Sequence, residues 1–534
     1  MNLRKKMRRG SLAALIALAL SSSALAMPTG GEVVRGAGDI TLSGGTWDSV
    51  ANNATITATN DGQINWQAFN IANGETLNFN IADNKTLVNQ VMGNQLSTLL
   101  GTMQQTGKGA LVIVNPNGIY VGKDAVLDVR DLTLSALAVM EDGNQRVLSK
   151  TVGEALVHLD GGAHITASRS IDIYAGKVQV ADGVIFDIGT EGDGNRSELR
   201  IKAADEIAWT LNGNRSSAII EKMTHHEGND VTFRGAANMH GTLFQTVNIG
   251  GASLTVEQAK IYGNEFLNTT LYAAGTVIHD ESSNDAREFL DAWRATGANV
   301  LQVDGFDFKG QTLNLRGGNT FLKNSAIETE TLQMMGVSKS SSMGYDSYGV
   351  VTDIEASPAH ATQISATTVK ASDVTIRGGK VYIEGDASFA APDPEVGGTL
   401  FIGAGSAASN DRTETYVNTA AEGNDVVLYG KITGFGVDQE NPITVIGRTI
   451  YLDRDLIVGI GNHRFASSMR LAAGEDPVIQ EPILRYTPLM DDAVERHERF
   501  IVRSLHDALR ATEPDSVGYD SLEETVSEDA ISFA

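Results

Sequence analysis

Hydrophobic and polar positions alternate along this chain in short runs of three to five residues, and Gly, Asp, Asn or Ser cuts one run from the next. Ile171, Ile173 and Ala175, then Val178 and Val180, then Val184, Phe186 and Ile188 put an apolar side chain on every second position. That is the period of a strand with one face in a core. The same unit returns at Val374–Ile376 with Val381–Ile383, and at Val426–Tyr429 with Ile443–Ile446. Near the start, Gly44-Gly45 and Asn52-Asn53 divide further short strands, and strands are predicted at Ile64–Phe69 and Thr76–Ile81. Residues 95–103 fit a short helical turn.

One stretch breaks the alternation. Leu111-Val112-Ile113-Val114 is continuously apolar, which predicts a strand buried on both faces. It runs into Asn115-Pro116-Asn117-Gly118, the composition of a type I turn: Asn bonding forward, Pro presetting φ, Gly closing. Ile119 to Val121 then resumes the strand pattern.

A strand followed by Arg-Gly occurs at Arg234, Arg316 and Arg377, separated by 82 and 61 residues, near multiples of roughly 20. A repeat of roughly 20 to 25 residues is what one turn of a three-sided parallel coil requires, each side being one short strand. The fold expected is therefore all-β, a right-handed parallel β-helix. Two segments carry helical spacing instead. Ser283 to Gly297, with Ala286, Phe289, Leu290 and Trp293 on one face, predicts an inserted helix; residues 488–512, with Met490, Val494, Ile501, Leu505 and Leu509, predict a C-terminal capping helix. Residues 513–534 form an acidic, Ser-rich tail.

Residues 1–26 change the compartment. Arg4, Lys5, Lys6, Arg8 and Arg9, the apolar run Leu12 to Leu20 and the closing Ala24-Leu25-Ala26 follow the order of a secretory signal peptide, and the run is too short for a stable membrane span. Its removal leaves 36 basic and 66 acidic residues, a net charge of −30. Such a charge opposes nucleic acid and anionic lipid as partners. With Cys absent, disulfides, thiolate metal sites and thiol nucleophiles are excluded, which suits a chain threaded unfolded through an oxidising compartment.

The segments Ile64-Asn65-Trp66-Gln67-Ala68-Phe69-Asn70-Ile71, Leu87-Val88-Asn89-Gln90-Val91, Ser97-Thr98-Leu99-Leu100-Gly101, Asn115 to Gly118, and Gly122 with Ala125 resemble, in order and spacing, the secretion domain of filamentous-haemagglutinin-type exoproteins. Gln90 stands where that family usually has Arg. The resemblance covers residues 30 to 145. It implies export by the two-partner route, with a cognate outer-membrane barrel transporter reading the domain through its POTRA domains. It also implies that Trp66, Phe69, Asn89, Asn115, Pro116, Asn117 and Gly118 set the backbone shape needed for recognition and for starting the fold.

Other chemistry weighs less. Gly403-Ala404-Gly405 fits a dinucleotide fingerprint, but an extended, polar stretch follows where a helix is required. His225-His226 point apart on a strand and lack a third ligand. Asp124, Asp128 and Asp131, or Asp453 and Asp455, could project together as carboxylates for glycoside cleavage, without an aromatic platform beside them. The reading is thus a non-enzymatic exported binding protein without a cofactor, secreted or on the surface of a Gram-negative-type bacterium. It is adhesin-like, with an unknown host or cell-surface receptor. The alternatives are a carbohydrate-active β-helix enzyme or a haem- or receptor-binding exoprotein. The domains expected are a signal peptide at 1–26, a secretion domain at 27–145, a β-helix passenger at 146–487, the helix at 488–512 and the tail at 513–534.

Overall fold

The computed structural model describes residues 27–142, 145–149, 155–189, 196–209, 220–280, 289–344, 350–393, 396–409, 415–418, 423–435, 443–452, 457–459 and 469–473. The expected signal peptide, capping helix and acidic tail lie outside these residues. All the described regular structure is strand. The chain divides into two compact units, Met1–Ser217 with Val231–Gln245 and Ala218–Asp230 with Thr246–Ala534.

The first unit opens antiparallel and then becomes a parallel coil. Ile40–Thr46 pairs antiparallel with Ser49–Ala58, and Glu32–Arg35 with Gly62–Trp66. From there each strand pairs in parallel with the one a coil later, so inward side chains stack in columns. One column runs Ala54, Leu77, Met103, Leu127, Ile165, Phe186, Ala237. A second runs Ile64, Asn89, Ile113, Leu134, Ile173, Ile201, and a third Leu99, Val121, Leu159, Val180, Phe233. Every member of the three columns is buried. No coil could bury its own row alone, so the stack is stable only as a stack.

Coil length follows from these registers. Leu77 to Met103 is 26 residues and Met103 to Leu127 is 24, close to the sequence-derived period. Leu127 to Ile165 takes 38, because Ala138–Asp142 and Gln145–Ser149 leave the coil as an antiparallel pair. The outer side of the strands that carry the second column is buried as well: Val88, Val112 and Val114 form a small apolar cluster. Leu111 to Val114 is thus buried on both faces, as its unbroken apolar run requires. The helical turn expected over 95–103 is replaced by strands Ser97–Leu99 and Thr102–Thr106.

The second unit is also a parallel coil, but its coils alternate in length. Along the column Ile261, Phe308, Ile327, Val369, Phe389, Ile432, successive steps are 47, 19, 42, 20 and 43 residues. Each long step contains an antiparallel hairpin: Thr276–Asp280 with Phe289–Arg294, Lys339–Gly344 with Val350–Glu355, and Ser406–Ser409 with Thr415–Asn418. The hairpins pair with one another into an antiparallel side sheet. The helix expected over 283–297 is therefore not seen: Phe289–Arg294 is a strand, held between Thr276–Asp280 and Lys339–Gly344.

The side sheet has its own core. Tyr272 and Met335 point out of the coil, one residue beyond the inward Leu271 and Met334, yet both are buried among Ala274, Trp293, Ala295, Val337 and Ile354. Arg316 and Arg377 occupy the same outward column as Tyr272 and Met335, so the 61 residues between them are one short coil and one long. Arg234 belongs elsewhere, after a strand on the third side, and the three Arg-Gly pairs are not one repeat. The glycine of the pair has a local cause. At Gly378 a Cβ would lie 2.6 Å from the Lys380 carbonyl oxygen, and there the Thr362 hydroxyl donates to the Arg377 carbonyl at 2.5 Å. Thr320 makes the same bond to Met335, before Gly336.

Candidate functional site

The first coils of the first unit bring the sequence-derived site residues into two hydrogen-bonded groups. Asn89 is the single amide in an otherwise aliphatic inward column, between Ile64 and Ile113, and it is fully buried. A buried amide is costly unless bonded. Here Asn89 Oδ1 accepts the Trp66 indole N–H at 3.0 Å, and Asn89 Nδ2 reaches the Val112 carbonyl at 3.5 Å. The indole and the amide thus satisfy each other inside the coil. Phe69 stands edge-on to Trp66 with ring centroids 5.9 Å apart, and Trp47 is tilted against Trp66 at the same separation. The entering chain closes over them, with Thr29 donating to the Ala68 carbonyl at 2.9 Å.

The second group is the turn at residues 115–118. Its backbone closes through Gly118 N–H to the Asn115 carbonyl at 2.9 Å, and Asn117 N–H donates to Asn115 Oδ1 at 3.0 Å, the forward bond expected of a leading Asn. Gly118 sits at φ +111°, and a Cβ there would meet the Leu156 carbonyl oxygen at 2.9 Å. Asn115 does more than hold its own turn. Its Nδ2 donates to the Gln95 carbonyl and to Ser97 Oγ, both at 2.9 Å, on the preceding coil. Asn117 Nδ2 likewise reaches the Gly93 carbonyl at 2.8 Å. Asn115 is fully buried, Pro116 half-buried and Asn117 exposed, so the turn shows one side to solvent and locks the other to the coil before it.

The structure adds Asn70 to this set. Its Oδ1 accepts from Thr98 N–H at 2.8 Å and from Thr98 Oγ1 at 2.9 Å, so it ties one coil to the next as Asn115 does. Asn70, Ser97 and Thr98 lie inside the matching segments, but only their register across coils separates them from any other polar turn residue. On the same side, Tyr120 donates to Asp160 Oδ2 at 2.8 Å and stacks on His158. Burial first, then the Asp160 bond, pushes the Tyr120 hydroxyl pKa up, and burial pushes His158 down.

The other candidates separate. Asp124 and Asp128 are exposed, whereas Asp131 is buried and accepts from Ser170 Oγ at 2.6 Å, so the three do not project together as one carboxylate group. Asp453 and Asp455 lie outside the described residues. His225 is buried beside Tyr272. Among the described residues no three His, Asp or Glu side chains are grouped to hold a metal. Both groups at the first coils are uncharged, and what they offer is shape: a rigid corner displaying one turn.

Residues 24–245 match the model of the TPS secretion domain. The match extends beyond residue 145 and ends at Gln245, where the first unit also ends. No curated protein matches the chain. The crystal structure of the HMW1 secretion domain from Haemophilus influenzae is similar at 16% identity and a TM-score of 0.46, over 86% of this chain and 98% of that one. The family match, with the motif residues standing on successive parallel coils, carries the assignment. Residues 24–245 form a TPS secretion domain, a domain that implies a two-partner secretion exoprotein, exported from a Gram-negative-type bacterium through a cognate outer-membrane transporter.

Proposed function

We propose that this protein is an adhesin-like binding protein, made with the signal peptide of residues 1–26 and carried across the outer membrane by a POTRA-bearing barrel to the cell surface or medium. The residues Trp66, Phe69, Asn89 and Asn115 to Gly118 are proposed as the part the transporter reads. The observation supporting this is the corner at Asn115. A fully buried amide fixes the turn to the preceding coil while Asn117 stays exposed, so the displayed shape cannot change without disturbing the stack. In this reading the remaining coils are a non-enzymatic scaffold that meets a receptor on another cell or matrix.

The test is export of the full chain in cells with and without the cognate barrel transporter, followed by binding of the released protein to matrix-coated wells. Surface or extracellular protein only when the transporter is present, together with saturable binding, is the expected result. Equal release without any barrel transporter overturns the export half. Catalytic turnover of a polysaccharide by the purified protein overturns the binding half.

A further inference from the structure

In the second unit the parallel strands Val300–Asp304, Asn319–Lys323, Ala361–Ser365 and Lys380–Ile383 carry a row of outward aromatic and amide side chains. Their registers align Gln302 with Phe321, Phe321 with Gln363, and Gln363 with Tyr382. All four alternate with buried inward residues such as Thr320, Leu322, Ile364 and Ile383, so they face away from the core. Tyr429 follows Leu428, which pairs with Ile383, and thus lies one coil on and two positions along from Tyr382; it is 37% exposed. Between these rings the Gln363 amide donates to the Glu384 carboxylate. Asn324 Nδ2 donates to Asp304 Oδ1 at 2.7 Å at the near end of the row.

We infer that this face, centred on Phe321, Gln363, Tyr382 and Tyr429, binds a neutral glycan along the stack of coils. Strands of successive coils lie about 4.8 Å apart, so Phe321 and Tyr382, two coils apart, present rings ~10 Å from one another. That separation spans two linked hexopyranose rings, whose apolar C–H faces pack on aromatic faces. Beyond their mutual bond, the Gln363 amide has a second N–H and its carbonyl oxygen, and Glu384 a second carboxylate oxygen, to meet ring hydroxyls, which both donate and accept. The net charge of −30 left after removal of residues 1–26 opposes an acidic polysaccharide at long range. The outward side of the coil in this same unit is treated differently at Tyr272 and Met335, where hairpins cover the apolar residues. Phe321, Gln363 and Tyr382 are instead partly exposed and lie outside that hairpin-covered cluster.

This deepens the binding half of the proposed function and does not depend on the export half. Full-length purified protein is titrated calorimetrically with cellohexaose, mannohexaose and galactohexaose, with hexagalacturonate as the acidic control. Saturable binding of at least one neutral hexasaccharide, and none of the control, is expected. Tyr382→Ala should weaken that binding roughly tenfold, the scale of one aromatic contact, while Tyr382→Phe retains it. Equal binding by the parent and Tyr382→Ala, with unchanged thermal unfolding, overturns the assignment; so does absence of binding to all three neutral probes. If matrix binding persists while all three glycans fail, the adhesin-like reading stands and the glycan inference alone falls.

Discussion

The two units use one architecture and stabilise its surface in opposite ways. In the first, early coils of 26 and 24 residues follow without interruption, and buried amides tie them together: Asn70 to Thr98, Asn89 to Trp66, Asn115 to Ser97. In the second, alternate coils extrude hairpins, and an apolar layer around Tyr272, Trp293, Met335 and Ile354 joins side sheet to coil. Hydrogen bonds of buried amides to hydroxyl and indole partners demand one geometry, whereas apolar packing tolerates substitution of similar volume. The comparison teaches where shape is specified: at the polar corners of the first unit, and only loosely in the hairpins of the second.

The largest effect that would break this contrast is on export. Replacing Asn115 with Ile and Asn117 with Val removes the bonds to Gln95, Ser97 and Gly93 and should reduce extracellular protein roughly tenfold or more, with precursor held in the periplasm, measured by fractionation and immunoblot. Trp293→Ala should cost about 3 kcal/mol in the second unit by opening its side core, read by denaturant unfolding, while export stays near the parent level. If both variants impair export equally, the polar corners have no special part.

A smaller effect sharpens the role of the buried amide. Asn89→Leu leaves the Trp66 indole N–H without its acceptor and should cost about 2 kcal/mol; adding Trp66→Phe removes the donor too and should restore part of the loss. Additive losses in that double-mutant cycle would mean that the pair is not coupled. The smallest effect is acid-side. Burial raises the Asp187 carboxyl, but bonds from Asn238, His164 and His240 outweigh it and hold its pKa below the usual value. Its contribution is therefore present above the unfolded carboxylate pKa and is lost as pH falls below about 4, so Asp187→Asn should flatten the acid limb of the stability profile. Since Asp187 is partly exposed and its partners are half-exposed, the change should stay under about 1 kcal/mol.

Much of the coil was legible because its cause is local. An inward column must be apolar at every second residue, so Ile171 to Ile188 and Val374 to Ile383 read directly as strands, and the apolar run Leu111 to Val114 announced burial on both sides. The hairpins were not legible for a reason of register. Phe289, Leu290 and Trp293 have helical spacing, but Phe289 pairs with Gly344 and Trp293 packs against an outward column whose existence no local pattern signals. At the site, the turn of Asn115 to Gly118 followed from its own four residues. The bond from Trp66 to Asn89, the reach of Asn115 to Ser97 and the part played by Asn70 depend on coils 18 to 28 residues away, which sequence spacing alone does not align.

The stepwise register of the stack bears on how the polypeptide acquires its structure as it emerges. Each inward side chain in the second unit meets its predecessor after 19 to 47 residues, whichever step is taken. The loop that must close to add one more layer is therefore bounded, and its entropic cost does not grow with the length already folded. A chain delivered end-first can order itself layer upon layer at the same cost for its last turn as for its first.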